Sequence, residues 1–452
     1  MDTYKRNRLM ALILGTMVIL TVLMGIIAII YYIHEDSLPP IERAKFILER
    51  SPLIDGHNNL AYNIRRMVFN DLRKVDLKAN LSQTEPWKSL NTSQTDIQRL
   101  KDGHVGGQVW VARADCESQY KDAVPITLEQ IDVIKRFLDS NSDDFQLVTT
   151  VEEFEKARDD GKIASFIAVE GGHSIQSSLS VLRQYYDLGV RIFTLAHTCS
   201  TPWIDYSRAD HSNKSLRIVS YSHGISHFGE DVVREMNRLG MIIDMTHSSI
   251  GAVVDVMAVS KSPIIFSHSA ARTLCDTDTN VGDAILKTVR QKDALVMVSF
   301  DSNQIKCDGT DATIHDVIKH IEYIKNRATV NNIGIGSNFD GIEKTVRGLE
   351  DPSKFPDLFA LLVESGKWHS FELEQLAGKN FLRVLEEVEK VKEDLKNEEP
   401  VQAFQKRSEI RKYWDRGNCT SPSSFVDPSS SIPTLPTLYT YPQNENKDPF
   451  GR

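Results

Sequence analysis

Between residues 41 and 414 the chain alternates short apolar runs with longer segments of helical periodicity. The runs are Leu53–Ile54, Val109–Ala112, Ser165–Val169, Ile192–Ala196, Met241–Met245, Ile264–Phe266, Leu295–Phe300 and Ile333–Ile335. Their length and apolar character fit strands buried on both faces. Between or after them, Leu128–Leu138, Leu179–Leu188, Val232–Leu239, His315–Lys325 and Leu358–Ser365 read as helices. Eight such runs interleaved with helices predict parallel βα units, and eight is the number that closes a TIM-like (β/α)8 barrel. An open doubly wound sheet is the rival architecture; no Gly-rich dinucleotide fingerprint follows the first run.

The two ends of the chain break this texture. Lys5, Arg6 and Arg8 precede Leu9–Ile33, an uncharged stretch long enough to cross a bilayer as a helix. The basic flank lies on the N-terminal side. The positive-inside rule therefore predicts residues 1–8 in the cytoplasm, 9–33 as a signal anchor in the cell membrane and the rest outside. A cleaved signal peptide is the alternative, although its apolar region usually runs only about 7–15 residues to a small-residue site. Residues 34–40 read as a stalk and 41–419 as the barrel ectodomain. Residues 420–452 are rich in Ser, Pro and Thr and read as a disordered tail. The polar ending ENKDPFGR has no hydrophobic lipid-anchor signal.

Composition narrows the function classes. The 452 residues are 41% hydrophobic and 25% charged, as in a globular protein, and the formal net charge is −9. No basic block follows the first eight residues, so nothing predicts nucleic-acid binding. Sequons at Asn80, Asn91, Asn213 and Asn418 fit an extracellular chain open to glycosylation. Five cysteines in an oxidising compartment suggest two internal disulfides and one thiol free to pair between chains; five buried thiols are the alternative.

Chemistry-bearing residues gather where the apolar runs end. IDGH ends at His57, ASFIAVE at Glu170, RIFTLAH at His197, MIIDMTH at His247 and IIFSH at His268, while IGIGSNFD supplies Asn338 and Asp340. In a barrel all of these would face the mouth at the C-terminal ends of the strands. One histidine there is more often structural than a ligand. Four, together with a glutamate, predict a metal-capable cluster, and imidazole with carboxylate suits zinc. No G-x-S-x-G elbow is present, and no cysteine lies in a setting that would activate a thiolate.

The stretches LIDGHN, GHVGGQVW, DAVPITLEQIDVI, AVEGGHSI, FTLAHTCSTPW, NRLGMIIDMTH, PIIFSHSAAR, GLEDPSKFPDL and NFLRVLEEVE occur in one order from about Pro40 to Cys419. In them the chain resembles the membrane (renal) dipeptidase family, zinc-dependent extracellular hydrolases of dipeptides with a TIM-like barrel. The resemblance implies His57 and residue 59 as ligands of one zinc, Glu170 as the bridge, and His247 with His268 on a second. It makes His197 a substrate-binding histidine. It also implies disulfides Cys116–Cys199 and Cys275–Cys307, and a homodimer joined through Cys419. Mammalian members are held by a C-terminal lipid; here the N-terminal helix would replace it.

Four positions depart from the family pattern. Asn59 stands where the family has a metal-binding Asp, and Asn338 where it has an Asp that handles protons. Thr279 stands where an Arg holds the substrate carboxylate, and Gln304 where a Tyr assists. An amide oxygen brings no charge to a dication, and Asn338 cannot accept and return a proton. Loss of the Arg removes a bidentate contact to the dipeptide carboxylate. The departures lead to the expectation of a slowed or inactive dipeptidase, with Asp340 as a candidate replacement base. A competent enzyme of altered substrate preference is the alternative.

Overall fold

The computed structural model of the chain describes residues 3–210 and 224–405. Asn213, Asn418, Cys419 and the 420–452 tail lie outside the described residues. Nine strands form one sheet: β1 (Leu53–Asn58), β2 (Val105–Arg113), β3 (Phe145–Leu147), β4 (Ile163–Glu170), β5 (Val190–Thr194), β6 (Ile242–Asp244), β7 (Ile264–Ser269), β8 (Leu295–Val298) and β9 (Ile333–Ile335). Every pairing is parallel. The order β2-β1-β9-β8-β7-β6-β5-β4 closes through β2–β4 into an eight-stranded barrel. Each of the eight apolar runs becomes a barrel strand. The ninth strand, β3, pairs beside the start of β4; three residues, Phe-Gln-Leu, are too few to carry a readable period.

The barrel explains why its strands are apolar throughout. Ile54, Val109, Val111, Phe166, Ile192 and Met297 turn into an inner core, which Phe381, Val384, Leu385 and Val388 of the helix Asn380–Asp394 join. The alternate residues, among them Trp110, Ile167, Phe193 and Val298, pack outward against the helical layer. There Trp110 meets Phe137 of the helix Ala123–Ser140 edge to face, with ring centroids 5.1 Å apart. Helix boundaries follow their caps. The helix read from Val232 begins at His227, because Ser226 accepts the Gly229 amide, and it ends where Gly240 takes φ 81°. At Gly336, just after β9, a Cβ would stand 1.7 Å from the Ser267 carbonyl oxygen. Only glycine lets the chain pass that close to β7.

At the N-terminus, Thr3–Ser37 is one helix of 35 residues that contains the expected anchor. Side chains at 1–6, 8–9 and 26–34 lie outside the described residues. Among those described, no helix is long and apolar enough to cross a membrane. The expected stalk begins inside this helix. Glu35 is buried, with Arg50 Nη1 at 2.9 Å and a hydrogen bond from Ser370, so the helix end is fixed to the barrel domain. Burial raises the Glu35 carboxyl, but Ser370 and the Arg50 and Arg43 cations bring it below its ordinary value.

Candidate metal centre and substrate cavity

The strand ends deliver their histidines to one carboxylate. His57 is the second-last residue of β1, Glu170 ends β4, His268 lies in β7, and His197 and His247 follow β5 and β6. Glu170 Oε1 lies 3.5 Å from His57 Nε2, 3.6 Å from His247 Nε2 and 3.8 Å from His268 Nε2; Oε2 lies 3.7 Å from His197 Nε2. His247 Nε2 and His268 Nε2 are 3.0 Å apart. Ligand atoms of His57, Glu170 and His268, and those of Glu170, His197 and His247, form two groups in which all lie within 4.8 Å of one another. The trio expected for the second zinc is also compact, but His197 approaches Glu170 as closely as the expected ligands do.

Burial holds the imidazoles in their neutral, ligating form: it depresses His57, and depresses His197 and His268 strongly. The same burial pushes Glu170 up, but attraction to whichever of the His197, His57 and His268 rings holds a proton, with a hydrogen bond from His247, outweighs it and holds the carboxyl well below its ordinary range. His57 Nε2, Glu170 Oε2 and Asn59 Oδ1 are buried without a hydrogen-bond partner. Such orphans cost about 1–3 kcal/mol each unless something satisfies them. An imidazole nitrogen, a carboxylate oxygen and a spare amide oxygen, all unsatisfied in one place beside three further imidazoles, fit a divalent metal of the zinc kind.

A supporting layer fixes the ring orientations. Ser267 Oγ is 2.9 Å from His268 Nδ1 and 3.4 Å from His57 Nδ1, and it donates to Asp244 Oδ2 at 2.6 Å. Asp244, buried at the end of β6, also accepts from Thr194, Thr246 and the Ser267 amide. On the other side Asn59 Nδ2 donates to Asn338 Oδ1 at 3.2 Å. His247, Asn338 and Asp340 all have φ between 63° and 67°, a left-handed backbone that Asn, Asp and His tolerate best among side-chain-bearing residues.

Glu170, His197, His247 and His268 form one wall of a cavity of about 580 Å3 that also takes in Asn59, Thr279, Gln304 and Asn338. Asp340 is not on its wall. It is buried beside Asn63 and Gln94, and burial pushes its carboxyl up to about 7. Sequence reasoning missed Arg113 and Asp301, which line the cavity. Both sit where a barrel strand ends, β2 and β8, which the strand-end rule covers, but a lone Arg or Asp there has no partner in sequence to single it out. Cys116–Cys199 and Cys275–Cys307 are bonded as the resemblance implied. The first bond uses both sulfurs of a Cys116–His173–Cys199 cluster that could otherwise suit a metal. Asn80 and Asn91 are exposed.

A family model described as "Membrane dipeptidase (Peptidase family M19)" matches residues 41–399. The chain belongs to this family. Dipeptidase 3 of Homo sapiens is 41% identical over 363 residues, covering 80% of this chain and 70% of that protein. Dipeptidase 3 of Mus musculus is 39% identical over 363 residues, covering 80% and 69%. Among solved structures, the probable dipeptidase PvdM from Pseudomonas aeruginosa matches with a TM-score of 0.65 at 19% identity, covering 78% of this chain and 99% of that one. At that identity the likeness speaks for the barrel. Membership adds metal dependence to the donor set described above, and dipeptide hydrolysis as the reaction of the homologues.

Proposed function

We propose that this family member is a zinc-binding cell-surface protein in which dipeptide hydrolysis is slowed or lost. The observation that carries the reading is the hydrogen bond between Asn59 and Asn338. One neutral amide donates to another where the family pattern has two carboxylates. His57, Glu170, His247 and His268, with the Asn59 oxygen, would hold the metal. Bound zinc supplies Lewis-acid polarisation of a peptide carbonyl and activation of water. His197, beside Glu170 Oε2, would bind substrate at the reacting centre. Asn338 can accept or donate a hydrogen bond but cannot carry a proton, a loss that typically costs about 10²–10⁴ in rate. The orphaned buried atoms of His57 and Glu170 favour a second reading, a competent dipeptidase that keeps both metals.

Residues 9–33 would anchor the chain with the barrel outside the cell, Asn80, Asn91, Asn213 and Asn418 would be open to glycosylation, and Cys419 would join two copies. The test is to express residues 34–452 as a secreted protein, count zinc per chain, and assay Gly- and Ala-type dipeptides beside Asn59→Asp/Asn338→Asp. Two zincs in the unmodified protein, with turnover equal to that of the double variant, would exclude impairment. A non-reducing gel of the parent against Cys419→Ser reads the dimer.

A further inference from the structure

Arg113 ends β2 directly beside Glu170, its register partner at the end of β4, and it lines the same cavity as the metal cluster. The guanidinium is mostly buried, with 22% of the side chain exposed. It stacks on the Tyr62 ring with its carbon 4.6 Å from the centroid. Tyr62 is itself tied to Asp115 by a 2.9 Å hydrogen bond. Asp115 Oδ1 lies 3.7 Å from Arg113 Nη2, too far for a hydrogen bond. Arg113 Nε is buried without a hydrogen-bond partner, and the guanidinium's contact with Asp115 is an ion pair at 3.7 Å, not a hydrogen bond. An arginine held by stacking and a loose ion pair, with no hydrogen-bonded carboxylate on its fork, is an oxyanion receptor in waiting, since the fork matches a carboxylate bidentately. Thr279 and Gln304, which also line the cavity, offer a carboxylate no charge.

We propose that Arg113 is a specificity-determining residue that receives a carboxylate of the ligand. In a dipeptide this is the C-terminal carboxylate or a side-chain carboxylate at the second position. The assignment rests on the dipeptide reading of the cavity. It moves ligand anchoring from the Thr279 side of the mouth to the β2 edge, next to Glu170.

The test uses the full-length, zinc-loaded chain and calorimetric binding of two ligand pairs. Glycyl-glycine against glycyl-glycinamide reads the C-terminal carboxylate; Gly-Asp-NH2 against Gly-Asn-NH2 reads the side-chain one. In one pair the carboxylate member binds about tenfold tighter or more to the parent. Arg113→Gln abolishes that preference, and Arg113→Lys, which keeps the charge but not the fork, retains part of it. The pair that shows the effect names the carboxylate. A parent without preference in either pair, or binding neither, overturns the assignment, as does a preference that survives in Arg113→Gln. Should Arg113→Gln not fold, an Arg113→Lys protein with undiminished preference overturns the bidentate contact. Zinc content and hydrolysis by Asn59→Asp/Asn338→Asp report on the dipeptide reading separately.

Discussion

Asn59 and Asn338 come from opposite ends of the barrel domain in sequence, yet Asn59 Nδ2 donates to Asn338 Oδ1 across 3.2 Å. Gly341 makes room for the pair: a Cβ there would lie 2.4 Å from both atoms. Restoring acid at both positions replaces this neutral contact with two anions beside the metal ligands. Asn59→Asp should tighten zinc binding about 10–100-fold, and adding Asn338→Asp should raise dipeptide turnover about 10²–10⁴-fold. Zinc titration and a dipeptide assay read the two effects separately.

Gly341→Ala separates the amides without changing either. Forcing a methyl into that packed space should cost about 1–3 kcal/mol. Chemical denaturation measures the loss, and a variant as stable as the parent would show that the pair opens without penalty.

Asp244 acts on the candidate metal site only through its partners. It fixes Ser267, which reaches both His57 Nδ1 and His268 Nδ1. Asp244→Asn and Ser267→Ala should each weaken zinc binding about 10–100-fold, as loss of an outer orienting contact does elsewhere. Unchanged zinc affinity in both would mean that the strands alone orient the rings.

Asp340 predicts a pH dependence of stability. Burial raises its folded carboxyl from an ordinary 3.8 to about 7. Between those values the folded chain binds more protons than the unfolded one, so this contribution to stability is full below pH 3.8 and lost as pH rises through about 7. Asp340→Asn should flatten that slope. Denaturation of parent and variant from pH 5 to 8 checks it; parallel curves would place the dependence elsewhere.

The Cys116–Cys199 bond closes 83 residues of sequence, from just after β2 to just after β5. Cys116→Ser/Cys199→Ser should lose about 2–5 kcal/mol of stability. His197 lies two residues from Cys199, so zinc content measured on the same variant shows whether the bond also holds the mouth in shape.

The apolar runs were legible because a closed barrel buries both faces of every strand. Leu295–Phe300 and its counterparts therefore carry a continuous signal that needs no tertiary information. The strand-end rule found His57, Glu170, His197, His247 and His268 for the same reason: parallel strands present their C-terminal ends to one mouth. The rule was equally able to find Arg113 and Asp301, but a lone Arg or Asp at a strand end has no partner in sequence to single it out.

The sequence by itself determined the barrel, the strand-end placement of His57, Glu170, His197, His247 and His268 and the neutral identity of Asn59 and Asn338, because these follow from local pattern and residue chemistry. Only the tertiary structure decided that the two asparagines bond to each other, that Asp340 turns away from the cavity and that Arg113 stands beside Glu170 with its Nε unpartnered. Those relationships join segments far apart in the chain. They depend on barrel closure and strand register, which side-chain packing over the whole domain sets.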